Sequence, residues 1–490
     1  MFGGDFGVNS TFKEMESGFG IGSATQLNEL RKALSAGYQT DAAGGMTNPQ
    51  GGALRVQSLE SSLKVLTSTQ RHYKFWQEVP KTPALSTVEE FNTLSQYGND
   101  NGGFNFEGVL PQQDDSTYAR NVALVKFLGT TRQISHPLSL VKPAHGDVIA
   151  LENQNGILWI LRRLEAAFFT GNRTLMPLNS EGAEFDGMSR QIDANNVIDL
   201  LGNPLSEEVI EEGANVVAQN YGTPTHMFLS LRAMADFAKT VYGKERFMPQ
   251  QASVDANGQV GYFIQSITTQ AGPIGLRPDV FITNTPQPAA TVAAQAPLAP
   301  ATVVVASPTG TDGNFYKDGA GQYRYWAALG NNFGESAAVE ASYPSALAYV
   351  ALASADLAKH VPVTVTLAAS LGANAPQYMA LYRSQPNGAV AYRIARKGFA
   401  VAAGSVVGSY SEVLTDTDAV MAGTSEAYLG EMSTQVLHFK QLSPLAKMDL
   451  AIVGPAYRWM ILLYGVLVMY APKKWVRYTN IGSSSAVATV

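Results

Sequence analysis

Six histidines, His72, His136, His145, His226, His360 and His438, carry the side chains most able to ligate a metal or relay a proton at neutral pH. None of them forms an HExxH or other paired pattern that would set two ring nitrogens on one ion, so each reads as a structural or surface residue. With no cysteine in the chain, thiol nucleophiles, Cys-ligated zinc and disulfides are excluded. There is no GxSxG elbow and no GxxxxGK phosphate loop, and Gly18, Gly20 and Gly22 lack the preceding strand that a dinucleotide site requires. Adjacent carboxylates at Asp114 and Asp115, or Glu89 and Glu90, could do acid and base work, but such pairs are usually polar loop. Lys473 and Lys474 beside Trp475 fit either a phosphate contact or a strand end. The expectation is therefore no catalytic, cofactor-binding or metal-binding residue, no cofactor and no enzyme activity.

A net charge of -6, with 15% charged residues, does not suit a protein that grips nucleic acid through clustered Lys and Arg. The start, MFGGDFGVNSTFKEMES, has no basic region followed by an apolar core, so no secretory signal is expected, and the sequons at Asn9 and Asn172 carry no meaning without secretion. The apolar run from Trp459 to Ala471 is too short for a membrane helix and reads as buried strands. Synthesis in the cytosol and no membrane partner follow as expectations.

The elements that would organise the chain are more informative than its reactive residues. GDVIALENQNGILWILRRLEAAFFTG, residues 146–171, repeats Val148, Leu151, Leu158, Leu161, Leu164 and Phe168 at helical spacing before Gly171 stops it. This predicts one long amphipathic helix of roughly 35 Å at about 1.5 Å per residue. Its polar side, with Glu152, Asn153, Arg162, Arg163 and Glu165, is either a solvated face or a subunit contact. Before it, two extended segments flank GNDNGGFNFEG and predict a long hairpin over about residues 85–135. The returning segment, Tyr118 to Ile134, has apolar residues on both alternations, so a projecting hairpin here would need a partner to cover it.

Residues 1–52 are rich in Gly and Ser, with a helix expected at Thr25 to Ser35, and read as an arm or a frayed terminus; ALRVQSLESSLKVLT predicts a short helix after it. Beyond the long helix, a helix over Leu205 to Asn220, the strand HMFLSL, a helix over RAMADFAKTVYG and two strands divided by Gly272 and Pro273 predict an α+β unit. TPQPAATVAAQAPLAPAT then marks a linker with Pro286, Pro288, Pro297 and Pro300. The stretch after it, about 301–418, predicts short strands with turns between them, Tyr323, Tyr325 and Ala327 alternating and Asn387-Gly388 turning a hairpin. In YRYWAALGNNFGES and YRSQPNGAVAYRI it resembles a fibronectin type III or immunoglobulin-like domain, although SALAYVALASADLAKH could be a helix. The dense strands of the tail return to the α+β body, so the sandwich looks inserted.

This order of parts, carried by GFNFEGVLP, YARNVALVKFLGTTRQIS, GILWILRRLEAAFFTGN, FDGM and YRWMILLYGVLVMYAPKK, resembles the major capsid proteins of tailed bacteriophages, the Hong Kong 97 fold. The resemblance implies an N-terminal arm at 1–52 and a peripheral domain at 53–175 that holds the hairpin and the spine helix. It further implies a first axial part at 176–290, a linker and inserted immunoglobulin-like domain at 291–418, and closing axial and peripheral strands at 419–490. The function implied is self-assembly into the pentamers and hexamers of an icosahedral head around double-stranded DNA, in a virion made in a bacterial host cytoplasm. Scaffolding, portal and decoration or minor capsid proteins are the further partners implied, and the insert would either project outward or brace neighbouring capsomers. Glu107 on the hairpin, Arg132 on its return and Arg162 and Arg163 on the helix are the candidate interface residues. An encapsulin-like shell and an extracellular modular adhesin or hydrolase are the alternatives.

Overall fold

The computed structural model describes residues 39–40, 46–47, 65–98, 103–141, 146–175, 182–244, 264–282, 296–343, 349–367, 374–398, 410–452 and 454–483. The helices expected at Thr25 to Ser35 and over most of ALRVQSLESSLKVLT, and the linker prolines Pro286 and Pro288, lie outside these residues. The chain divides into two units, one of residues 1–66 and 142–147 and one of residues 67–141 and 148–490. In the first, Gln39–Thr40 pairs antiparallel with Met46–Thr47.

In the second unit the long helix runs Val148–Thr170 and ends where the Gly171 N–H reaches the Ala167 carbonyl at 2.9 Å. A side chain at Gly171 would collide with the carbonyl oxygens of Ala167 and Phe185, 2.5 Å from its Cβ position, so glycine is required at this stop. The buried face carries Gly156, Ile160, Leu161, Leu164, Phe168 and Phe169. Against it packs a four-stranded sheet in the order Lys81–Pro83, Leu437–Asp449, Ala456–Met469, Lys126–Ser135, with only the first pairing parallel. The apolar run expected as strand is here: Ala456–Met469 is paired on both edges, and Trp459, Ile461 and Leu463 are buried against the helix layer. Gly156 lets the helix approach, since a Cβ there would lie 2.5 Å from Ile461 Cδ1.

The expected hairpin divides. Val88–Gln96 and Thr117–Leu124 form a separate two-stranded sheet, whereas the chain beyond buried Val125 joins the four-stranded sheet as its edge strand. Lys126–Ser135 pairs along its length with Ala456–Met469 through one edge, so the returning segment projects only as far back as Leu124.

A second, six-stranded sheet runs Val197–Asp199, Trp475–Ile481, Ser425–Gly430, His226–Ser230, Gly272–Asp279, Ser266–Thr269. Helices Glu207–Gln219 and Leu231–Lys244 accompany it; the first is capped by Ser206, whose Oγ accepts from the Val209 N–H. Ile210, Ala214, Met227, Leu229, Ile274, Leu429 and Tyr478 form its core. The closing segments therefore split between two sheets, 425–430 and 475–481 in this one and 437–469 in the other.

Between Asp279 and Ser425 the described chain is almost all β. Thr302–Val305, Val361–Thr366 and Ser411–Asp416 form one sheet; Gly334–Glu335, Tyr325–Asn331, Tyr378–Ser384 and Ala391–Gly398 form another. Val303, Val363 and Leu414 from the first share a core with Tyr325, Ala327, Met379 and Leu381 from the second, and Tyr323, Tyr325 and Ala327 are all buried as their alternation predicts. Asn387 holds φ 59°, and the Gly388 N–H bonds back to Gln385 O, closing the expected hairpin. The helical alternative for SALAYVALASADLAKH fails in its described part, which forms the strand Val350–Leu352 and a short 3-10 turn at Ser354–Asp356. Val350 and Leu352 point into the β core with Ala351 outward, a period of two that a helix cannot satisfy. Arg383 clasps the domain internally, pairing with Asp318, Asp416 and Asp418 at 2.5–2.7 Å with all four side chains buried.

Candidate assembly surface

Among the described residues, those of the hairpin include several of the most exposed large apolar side chains. Its strand Val88–Gln96 is held at the base, where Phe91 meets Tyr470 edge-on at 4.8 Å and Glu89 receives the Lys440 ammonium at 2.8 Å. Farther out the pairing continues to Gln96 opposite Thr117, with Arg120 and Glu90 bridging the strands at 3.2 Å, but neither face is covered. Tyr97, Phe104, Phe106 and Leu110 are 88–101% exposed, and Leu94, Tyr118 and Val122 add apolar surface along the stem. At about 25 cal/mol per Å² such rings each forgo on the order of 2 kcal/mol by standing in water, so the sequence is written for a covered loop.

The four candidate interface residues occupy three places. Glu107 is exposed in the hairpin loop; Arg162 and Arg163 are exposed on the helix, and none of the three forms an ion pair with another described residue. Arg132 differs, because it sits on the edge strand opposite Trp459 and reaches across to Glu152 on the helix at 3.5 Å, tying helix to sheet within one chain. Within the chain Glu107 forms no ion pair with Arg162 or Arg163.

Glu165 overturns the expected polar side of the helix. It is fully buried, following Leu161 and Leu164 on the apolar stripe, and its carboxyl accepts the N–H groups of Phe75 at 2.7 Å and Trp76 at 3.0 Å, the start of the short helix Lys74–Glu78. Two otherwise unsatisfied helix-start donors thereby gain an acceptor, which is why a carboxyl is kept in an apolar register. It also faces Asp279 at the end of a strand of the six-stranded sheet. Burial first, then the Asp279 charge, pushes Glu165 up to about 9, and burial raises Asp279 too. One Asp279 oxygen is buried without a hydrogen-bond partner, so both carboxyls of this pair are shifted toward the protonated form. Beside it, Glu78 receives Arg277 and lies 3.6 Å from His226. The helix, the 74–78 segment and the six-stranded sheet meet at this group. Sequence reading missed it; the one available signal was a glutamate at a core position of a helix.

The β segment between Asp279 and Ser425 meets the far end of the same helix. Arg396 donates to the Thr170 carbonyl at 2.7 Å, and Leu175 is buried among Ala328, Tyr378, Ala380, Tyr382 and Ala391. Lys317 pairs with Asp199 of the six-stranded sheet, whose carboxyl is held below its usual range by that ammonium and by N–H donors against the cost of its burial. Lys474 is occupied by Glu431 at 3.5 Å, at a turn leading into the strand Trp475–Ile481, which favours the strand-end reading of the Lys473-Lys474 pair.

No family model matches the chain. Its sequence is 28% identical over 469 residues to a protein of Enterococcus phage phiEF24C assigned as its major capsid protein, covering 92% of this chain and 94% of that one. It is 27% identical over 446 residues to the major capsid protein of Staphylococcus phage S25-3, covering 89% and 91%. Among solved structures it is similar to the encapsulin of Synechococcus elongatus PCC 7942, with TM-score 0.43, 7% identity and coverage of 91% and 99%. A gene-transfer-agent (GTA) capsid gives TM-score 0.44, 7% identity and coverage of 88% and 96%. The α+β body, projecting hairpin, long helix and two sheets are the parts expected of the Hong Kong 97 architecture, and the sequence relatives that span nine-tenths of the chain are major capsid proteins of bacteriophages.

Proposed function

We propose that the chain assembles with copies of itself into pentamers and hexamers of an icosahedral phage head, enclosing double-stranded DNA without reading its sequence, and that it acts as a structural protein rather than an enzyme. The observation that carries this reading is the hairpin's uncovered apolar surface, Leu94, Tyr97, Phe104, Phe106, Leu110, Tyr118 and Val122, which a neighbouring subunit would cover. A closed shell repeats that contact many times, so each copy can be weak while the particle is strong. Scaffolding, portal and decoration or minor capsid proteins are the partners this role would require during synthesis in a host cell. An encapsulin-like compartment is the weaker reading, because the sequence relatives are named as phage capsid proteins. Light scattering and negative-stain electron microscopy of the chain expressed alone and with its genomic neighbours test the proposal. Capsomer rings or closed shells are expected; a monomer under every condition would overturn it.

A further inference from the structure

The β segment passes back to the six-stranded sheet through residues 418–422, and this strap is stitched to both sides in turn. Ala419 O accepts from Asn480 Nδ2 at 3.2 Å and the Met421 N–H donates to Asn480 Oδ1 at 2.9 Å, on the strand Trp475–Ile481. Alternating with these, Val420 O accepts from Arg383 Nη2 at 3.3 Å and Ala422 O accepts from Gln385 Nε2 at 3.2 Å, on the β segment. Asn480 Nδ2 also donates to Asp199 Oδ1 at 2.9 Å, and the other Asp199 oxygen receives Lys317, the chain neighbour of Asp318. Asp418, where the strap begins, holds φ 58°, in the left-handed region, with its N–H on Asp416 Oδ1 at 2.9 Å. Its carboxyl and that of Asp318 contact the same nitrogen, Arg383 Nη2, each at 2.5 Å, while Asp416 takes Nη1 at 2.7 Å and the Tyr325 hydroxyl at 2.9 Å. One buried guanidinium thus faces three buried carboxyls, and the second Asp418 oxygen is buried with no hydrogen-bond partner. Two carboxylates on one nitrogen repel unless a proton lies between them, and Asp318 and Asp418 are within hydrogen-bond reach of each other. Tyr323 and Tyr325, the other titratable groups against the cluster, are kept neutral by burial.

We propose that residues 418–422 form a pH-sensitive clamp between the β segment and the six-stranded sheet, closed while Asp318 and Asp418 share one proton and loosened when that proton leaves. The proton acts on the strap because Arg383 serves both: its Nη2 carries Asp318, Asp418 and Val420 O together. A second negative charge at that nitrogen finds no added donor, so Asp418 relieves it by turning out to water and drawing the strap with it. The electrostatics run the same way. Burial, opposed by the Arg383 charge and reinforced by the Asp318 charge, pushes Asp418 up to about 7 from an ordinary 3.8, and burial raises Asp318 too. A carboxyl raised in this way contributes fully below its unfolded range and loses that contribution as pH rises through about 7, so the clamp tightens toward acid and opens toward alkali. An open clamp leaves the β segment held by Lys317 on Asp199 and by its contacts at the end of the long helix.

Hydrogen exchange of the full, unassembled chain, corrected for the intrinsic rate at each pH, reads the clamp at peptides covering residues 416–424. Protection there should fall about tenfold between about pH 6 and about pH 9 in the original chain. Asp418→Asn keeps an oxygen for Arg383, offers an N–H to Asp318 in place of the proton and suits φ 58°, so its protection should change by less than about twofold over the same range. Asp318→Asn replaces the other partner and carries the same expectation, which keeps the test available if the first variant does not fold. Glu165→Gln, which removes a different titration, should leave the fall at the strap in place. A strap whose protection is independent of pH in the original chain, a folded asparagine variant that retains the fall, or its loss in Glu165→Gln overturns the proposal, and none of these results touches the shell reading.

Discussion

Replacing Glu165 by glutamine should stabilise the subunit at alkaline pH and flatten the dependence of its stability on pH. In the folded chain this carboxyl is fully buried, receives the Phe75 and Trp76 N–H groups and faces Asp279; burial and then Asp279 push it up to about 9 from an ordinary 4.5. The folded state thus holds a proton that the unfolded chain releases at much lower pH. Its contribution to stability is fully present below about pH 4.5 and is lost as pH rises toward about 9. At 1.36 kcal/mol per pKa unit an isolated site would lose up to ~6 kcal/mol over that window, an upper bound because the site titrates together with Asp279. Glutamine keeps a carbonyl acceptor for the helix-start N–H groups and offers its amide to Asp279, so it mimics the protonated state at every pH. Thermal melting of the unassembled chain across this window measures the effect. Glu165→Gln should match the original near pH 5 and exceed it by about 2 °C or more near pH 8.5. Glu165→Ala should be less stable throughout by several kcal/mol, because it orphans two N–H donors and Asp279 together. A glutamine variant that melts lower than the original by the same amount at every pH would refute a protonated Glu165 at this junction.

Other perturbations separate folding from assembly. Phe104→Ser with Phe106→Ser should leave subunit melting within about 0.5 kcal/mol, since both rings are exposed, yet reduce shell yield when particles are counted by electron microscopy. Arg383→Met leaves Asp318, Asp416 and Asp418 buried without their cation and should destabilise the β segment by about 3–5 kcal/mol, read as early proteolysis between 302 and 416. Gly156→Val would drive a side chain into Ile461 and Arg132; a loss of about 1–3 kcal/mol in chemical denaturation is expected.

Much of this architecture was legible from period and punctuation. The long helix is set by apolar spacing and a glycine stop, the central strand Ala456–Met469 by its density of aliphatic side chains, and the hairpin turn of the insert by Asn387-Gly388. What escaped was long-range. Nothing local distinguishes Lys126–Ser135 from the hairpin strand before it; its assignment to another sheet depends on pairing with residues more than 300 positions away. Glu165 looked solvated because charge is normally a surface signal, and its burial is understandable only once Phe75, Trp76 and Asp279 are placed around it. Arg132, a candidate interface residue, also ties its strand to the helix through Glu152 of its own chain, a long-range pairing that no local pattern shows. The helix in SALAYVALASADLAKH failed because alanine-rich composition is a weak prior beside a sheet edge that needs a partner strand.

The most direct test of the account is an electron cryomicroscopy reconstruction of the particles formed by the full chain with its genomic neighbours. It should reveal pentamers and hexamers in a closed shell, each hairpin from residues 88 to 124 lying across an adjacent subunit with its apolar faces covered. Particles in which that hairpin remains solvated on both faces or folds back on its own subunit would contradict the account.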